Sequence, residues 1–240
     1  MPEWRSGITY VLLDESGNSN TDRPLVVGAL VTTALPELEA RLSDLFEEER
    51  ASPELEGFKS FERFKKDGFH YTANPPEVQV GFIKLVSRTH GYRIFMAFSR
   101  RARMEKLNDD ERSIVLYSTL LTDIILYAQT DEIVFLFETN EGLNDKFQSI
   151  VEKAHDRAMS KARGRTLPVA SAQVVTKKNP LSMGIIDYCM ALFSAWLLKG
   201  MAVNPAELSY RSFMRFERNV AVIFNFDDKL RSNRHNRSFH

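Results

Sequence analysis

The chain has 240 residues, 43% hydrophobic and 27% charged, which suits one large or two small globular domains with a proper core. Its 32 basic and 32 acidic residues cancel, so whole-chain charge gives no argument for a polyanionic partner, although local patches can still attract one. Cys189 is the single cysteine, which excludes an intrachain disulfide, and no Cys/His group has zinc-site spacing.

Met1 leads into the polar "PEWRSG" without a basic and apolar leader, and the run "MALFSAWLL" is too short to span a membrane. A cytoplasmic location with no membrane partner is therefore the default expectation. "GITYVLL" (7–13) is rich in β-formers and predicts a strand; "DESGNSNTDR" predicts a loop; "PLVVGALVTT" (24–33) predicts a second strand, hairpin-paired with the first. Pro36 stands where a helix would begin, and the following segment places Leu38, Leu42, Leu45 and Phe46 on one face.

Residues 51–75 read as irregular, punctuated by Pro53, Gly57, Gly68 and Pro75. A helix is predicted over 77–89, with Gly91 as its C-terminal cap, then a third strand over 92–100. Asn108 is the expected N-cap of a long helix with Asp109 and Glu111 in its first turn. "EIVFLFE" predicts a strand covered on both faces and terminated by Glu138. A helix through "DKFQSIVEKAHDRAMSKA", a fifth strand in "TLPVASAQVV" and an apolar helix in "SMGIIDYCMALFSAWLLKG" follow, then a further helical segment. The last residues, 229–240, contain no acid and read as a basic tail, leaving 1–228 as a single domain with helical elaborations. Three early strands followed by alternating helices and strands favour an α/β fold, a mixed sheet flanked by helices.

Three acids occupy apolar settings: Asp14 at the end of the first strand, Glu138 at the end of the fourth, and Asp187 between Ile186 and Tyr188. A carboxylate placed so must be neutralised, paired or bound to a cation. Neighbouring strand ends and an overlying helix can bring such groups together around Mg2+ or Mn2+, hard ions that take oxygen ligands, and two such ions can drive phosphodiester cleavage. Each acid also has a plainer reading: a turn residue for Asp14, a helix-start or turn acid for Glu138, and for Asp187 a buried pair with Lys177 or Lys178.

The "YVLLDESG" strand followed by "LVVGALV" resembles the opening of the bacterial family known as domain of unknown function 3800, and "KNPLSMGIIDYCMALFSAWL" is similar to its closing motif. In that motif a glycine precedes an apolar helix that bears an Asp; here they are Gly184 and Asp187, with Ile185 and Ile186 between them. The resemblance spans roughly Ile8 to Leu198 and implies a ribonuclease H-like fold. It implies Asp14, Glu138 and Asp187 as catalytic metal ligands of a metal-dependent nuclease using two ions, with His70 matching a histidine common in the family. A catalytically inactive binding or scaffold subunit of a nucleic-acid-processing or phage-defence complex is the competing expectation, and a homo-oligomer is compatible with either.

Secondary candidates are Glu15, which strand alternation would turn to the opposite face from Asp14, and His70, a candidate for proton transfer to a leaving oxygen. Asn140 and Glu141 suit a turn. Arg100, Arg101, Arg103, Lys177 and Lys178 are the basic residues expected to meet nucleic-acid phosphates, DNA or RNA. An aspartyl nucleophile of the haloacid dehalogenase type is disfavoured, because that chemistry needs an acid where Ser16 stands.

Overall fold

The computed structural model describes residues 7–17, 23–100, 104–176 and 178–233. β1 (Thr9–Ser16) and β2 (Leu25–Thr32) pair antiparallel, with Tyr10 opposite Thr32 and Asp14 opposite Gly28. β3 (Tyr92–Ser99) runs antiparallel to β2, β4 (Glu132–Glu138) parallel to β1, and β5 (Val169–Val175) parallel to β4. β6 (Val220–Asn225) lies parallel to β3 and β7 (Leu230–Asn233) antiparallel to β6. The result is a seven-stranded mixed sheet in the order β5-β4-β1-β2-β3-β6-β7.

Helices cover both faces, which is why β1 and β4 are apolar at successive positions rather than alternating. Tyr10, Leu12, Val134 and Leu136 enter one core, with α1 (Leu35–Arg50), α2 (Lys59–Asp67), α3 (Pro76–Arg88), α6 (Met183–Leu198) and α7 (Leu208–Met214). Val11, Leu13, Phe135 and Phe137 enter the other, with α4 (Asp109–Tyr127) and α5 (Phe147–Lys161). α1 starts at a proline and buries Leu35, Leu38, Leu42 and Phe46, the spacing of one helical face. Asn108 caps α4 through a full capping box with Glu111, both bonds 2.9 Å long. Among the described residues no helix is long and apolar enough to cross a membrane.

The structure departs from the sequence expectations in four places. The predicted loop after residue 13 begins later, because Asp14, Glu15 and Ser16 continue β1 and pair with β2. The strand stops at Gly17, whose φ of 94° and close approach to the Pro24 carbonyl admit no side chain. Residues 51–75 are not irregular: a 3-10 turn at Pro53–Leu55 precedes α2, which is too short and polar to announce itself and is held by Phe61 and Phe64, both fully buried. The end of α3 is capped by Thr89 in extended conformation rather than by Gly91.

The fourth departure is at the C-terminal end, where the expected helical segment gives way after α7 to β6, and Leu230–Asn233 of the expected tail forms β7. "VAVIFN" is a short apolar run that periodicity cannot separate from a buried helix. β7 is recruited by backbone pairing, which a side-chain pattern does not display. Residues 234–240 lie outside the described residues.

Candidate functional site

Alternation along β1 sends Tyr10, Leu12 and Asp14 to the α6 face, where Asp14 is 5% exposed. On β4 the same face takes Val134 and Leu136, and hence Glu138, which is half-buried and in register with Val175 of β5. β1 and β4 are registered up to Leu13 and Phe137, so Asp14 and Glu138 are the next positions on neighbouring parallel strands. The alternation of each strand directs both carboxylates to the same face. Asp14 Oδ1 accepts the backbone N–H of Glu15 at 2.8 Å, which fixes the orientation of the carboxylate.

Glu15 turns the other way. The Tyr117 hydroxyl donates to Glu15 Oε2 and the Asn140 side-chain amide donates to Oε1, tying the end of β1 to α4 and to the loop after β4. Asn140 also closes its own turn by accepting the Gly142 N–H at 2.9 Å. Burial, with the charges of Glu15, Asp14 and Glu138 next, pushes the Tyr117 hydroxyl well above the ordinary phenol range, so it remains a proton donor. One buried hydroxyl therefore lies in the field of all three carboxylates.

Asp187 occupies the first half of α6, which packs over β1 and β2. Its Oδ2 accepts the Tyr71 backbone N–H at 2.7 Å and lies 3.7 Å from His70 Nδ1. The turn carrying these partners is organised by Asn74, which accepts from the His70 N–H and the Tyr188 hydroxyl, each at 2.7 Å, and donates to the Gly68 carbonyl. Gln79 reinforces it by donating to the Tyr71 and Asn74 carbonyls. Gly184 lies against Phe69: an added Cβ would sit 2.8 Å from the Phe69 carbonyl oxygen.

The structure thus brings Asp14 and Glu138 together and places Asp187 in the helical layer over the same face. Among the described residues, however, no three His, Cys, Asp or Glu side chains are grouped so that they could hold a metal ion. Asp187 Oδ2 is engaged by the turn at residues 70–74. Glu15, as alternation requires, is on the other face, and His70 stands with Asp187.

Lys178, one of the expected phosphate contacts, is exposed. Its ammonium donates to the Lys65 carbonyl at 3.0 Å and lies 5.4 Å from the Phe46 ring centroid, at the C-terminal end of α2, where a cation complements the helix dipole. Arg100 is exposed, and its backbone N–H donates to Asp227 at 2.6 Å. Arg101, Arg103 and Lys177 lie outside the described residues.

Sequence reasoning missed Glu39, Asn74 and Gln79. Glu39 accepts the backbone N–H groups of Leu181 and Ser182, both at 2.8 Å, and so seats the N-terminus of α6 on α1. The partners of Glu39 are remote in the chain, so no local pattern marks it, whereas Asn74 and Gln79 bond mainly within the turn that the Asn-Pro pair at 74–75 signals.

No protein-family model and no curated protein matches the chain. Among solved structures it is similar to ribonuclease HII from Archaeoglobus fulgidus in its complex with PCNA, at 13% identity over 86% of this chain and 87% of that one, with a TM-score of 0.43. It is similar to ribonuclease H2 from Pyrococcus horikoshii at 12% identity over 88% and 100% of the two chains, with a TM-score of 0.43. A third similar structure is Bst-RNase HIII in complex with Mn2+, at 10% identity over 87% and 70% of the two chains, with a TM-score of 0.41.

Proposed function

We propose that this chain is a ribonuclease H-like phosphodiester hydrolase acting on nucleic acid, with Asp14 and Glu138 as its central carboxylates. The observation that carries the reading is their placement: two acids side by side on one face at the ends of adjacent parallel central strands. Such a pair repels itself unless a cation or a shared proton intervenes. The resemblance of the first and last motifs to the domain of unknown function 3800 family supports the same assignment.

The donor set fits one Mg2+ or Mn2+ ion. Both donors are carboxylate oxygens, and Mg2+ is commonly held by one or two carboxylates together with substrate phosphate. Bound there, the ion would neutralise a substrate phosphate and acidify a water for attack. Asp14, oriented by the Glu15 N–H, and Glu138 beside it would hold the ion. Tyr117 and Asn140 keep Glu15 on the opposite face and out of the donor set. His70, partly exposed and next to Asp187, is positioned to exchange a proton with solvent or with a leaving oxygen.

The test is cleavage of single- and double-stranded DNA and RNA in Mg2+ or Mn2+ by the purified protein. Asp14→Asn and Glu138→Gln should each lower the rate by on the order of 100-fold or more. The hydrolase reading fails if no substrate is cut, or if both variants cut like the wild type.

The engagement of Asp187 by Tyr71 favours a second reading, in which the fold serves as a non-catalytic subunit of a nucleic-acid-processing or defence complex. That reading expects no cleavage and no rise in melting temperature with Mn2+.

A further inference from the structure

The face of the sheet that carries α4 is not covered as far as its edge. α4 packs over β2 and β3, while beyond it the side chains of Phe95 on β3 and Phe224 on β6 remain half-exposed. Here a pocket of about 310 Å3 opens, lined among others by Arg93, Phe95, Asp123, Tyr127 and Arg231. Tyr127, in the last turn of α4, is 69% exposed, a large ring left in water at the pocket rim. Arg231 lies 5.4 Å from the centroid of the Phe224 ring and is held edge-on by Asp123 at 2.7 Å, so its guanidinium plane is already oriented. Arg93 is exposed on β3 and donates to the carbonyl of Tyr92 at 3.2 Å. Two guanidinium groups against one carboxylate make the lining net positive.

We propose that this pocket is a subsite for single-stranded nucleic acid. An unpaired base stacks on Tyr127 and Phe95, and the flanking phosphates pair with Arg93 and Arg231. Rings accept any base through its π-face, and arginine matches phosphate in both charge and fork geometry. Asp123 supplies an acceptor for a base N–H. The volume admits one nucleotide unit and excludes a paired duplex, whose bases are stacked out of reach. The subsite is distinct from the carboxylate pair: Asp14 and Glu138 face α6, whereas the pocket lies on the α4 face and begins two strands over, at β3. Its role is to hold a strand, and it does not rest on the hydrolase reading.

The test is fluorescence anisotropy of labelled single-stranded DNA and RNA oligonucleotides with the full chain in EDTA, where no metal-dependent turnover interferes. Tyr127→Ala and Arg93→Ala should each weaken binding by about 10-fold, and Arg93→Ala should also reduce the salt slope by about one. Both side chains are exposed, so melting temperatures should stay close to wild type, and Tyr127→Phe, which keeps the ring, should retain binding. Because the assay runs in EDTA, loss of binding is read separately from loss of cleavage. Free mononucleotide should compete weakly and duplex hardly at all. The proposal is overturned if oligonucleotides do not bind, if duplex or mononucleotide binds as well as the single strand, or if Tyr127→Ala and Arg93→Ala bind like the wild type.

Discussion

Glu39 belongs by spacing to the flank of α1, between its apolar stripe and solvent, yet its carboxylate faces inward and receives both N–H groups that open the α6 end. Removing it strands two backbone donors, so Glu39→Ala should destabilise the fold by about 2–4 kcal/mol, measured by urea unfolding. Its pH dependence follows from burial. Desolvation raises the Glu39 carboxyl above its usual value, and the hydrogen bonds from Ser182 and Leu181 only partly offset that. Between the ordinary carboxylate pKa and the raised one, the folded chain holds a proton that the unfolded chain has released. Stability therefore falls as pH rises through that window. The wild-type minus Glu39→Ala difference in unfolding free energy should decline with pH across that interval; a difference that rises would contradict the burial argument. At the same scale the sequence disclosed Asp14, Glu138 and Asp187 as carboxylates in apolar settings, but not what each one touches. Asp187 finds Tyr71, which is 116 residues away in the chain, and no local pattern encodes such a partner.

At the scale of elements, α6 is seated by glycines where it passes over the sheet and the turn at residues 68–74. An added Cβ at Gly28, opposite Asp14 on β2, would come within 2.6 Å of the Ile186 side chain and 2.8 Å of Met190 sulfur. At Gly184 it would meet Phe69 Cβ at 2.6 Å and the Phe69 carbonyl oxygen at 2.8 Å. Side-chain ends can rotate aside; a backbone carbonyl cannot. Gly28→Ala should cost about 1–2 kcal/mol and Gly184→Ala about 3 kcal/mol, with only the latter displacing the Tyr71–Asp187 contact. Calorimetric melting ranks the two, and the Tyr71 amide resonance reports the displacement. Strong local signals made most elements legible: the Asn108 cap, the proline start of α1, the β-formers of β1 and the doubly covered run of β4. α2, β6 and β7 were not legible, because a short polar helix, an apolar run of ambiguous period and an edge pairing all depend on neighbours for their conformation.

For the whole molecule, the central strands β1, β2 and β4 contribute side chains to both cores, so neither helical layer can leave without exposing the other's sheet. We expect the seven-stranded sheet and its two helical layers to unfold as one unit. Far-UV circular dichroism and the fluorescence of Trp196, buried in the α6 layer, should give coincident denaturation curves; separate transitions would mark the α4–α5 layer as an independent unit. What the sequence determined by itself was local: strand and helix periods, the Asn108 cap and the proline start of α1, and the fact that acids stand at the ends of β1 and β4. Those features arise from propensity and from the pleat, which act over a few residues. The tertiary structure alone decided that Glu15 joins Tyr117 and Asn140 on the far face, that Asp187 turns to Tyr71, and that Glu39 seats α6. It also decided that β6 and β7 extend the sheet to form the arginine- and aromatic-lined pocket. Each of these depends on which strands become neighbours, and the balance of long-range burial against unmade hydrogen bonds settles that only when the whole chain has folded.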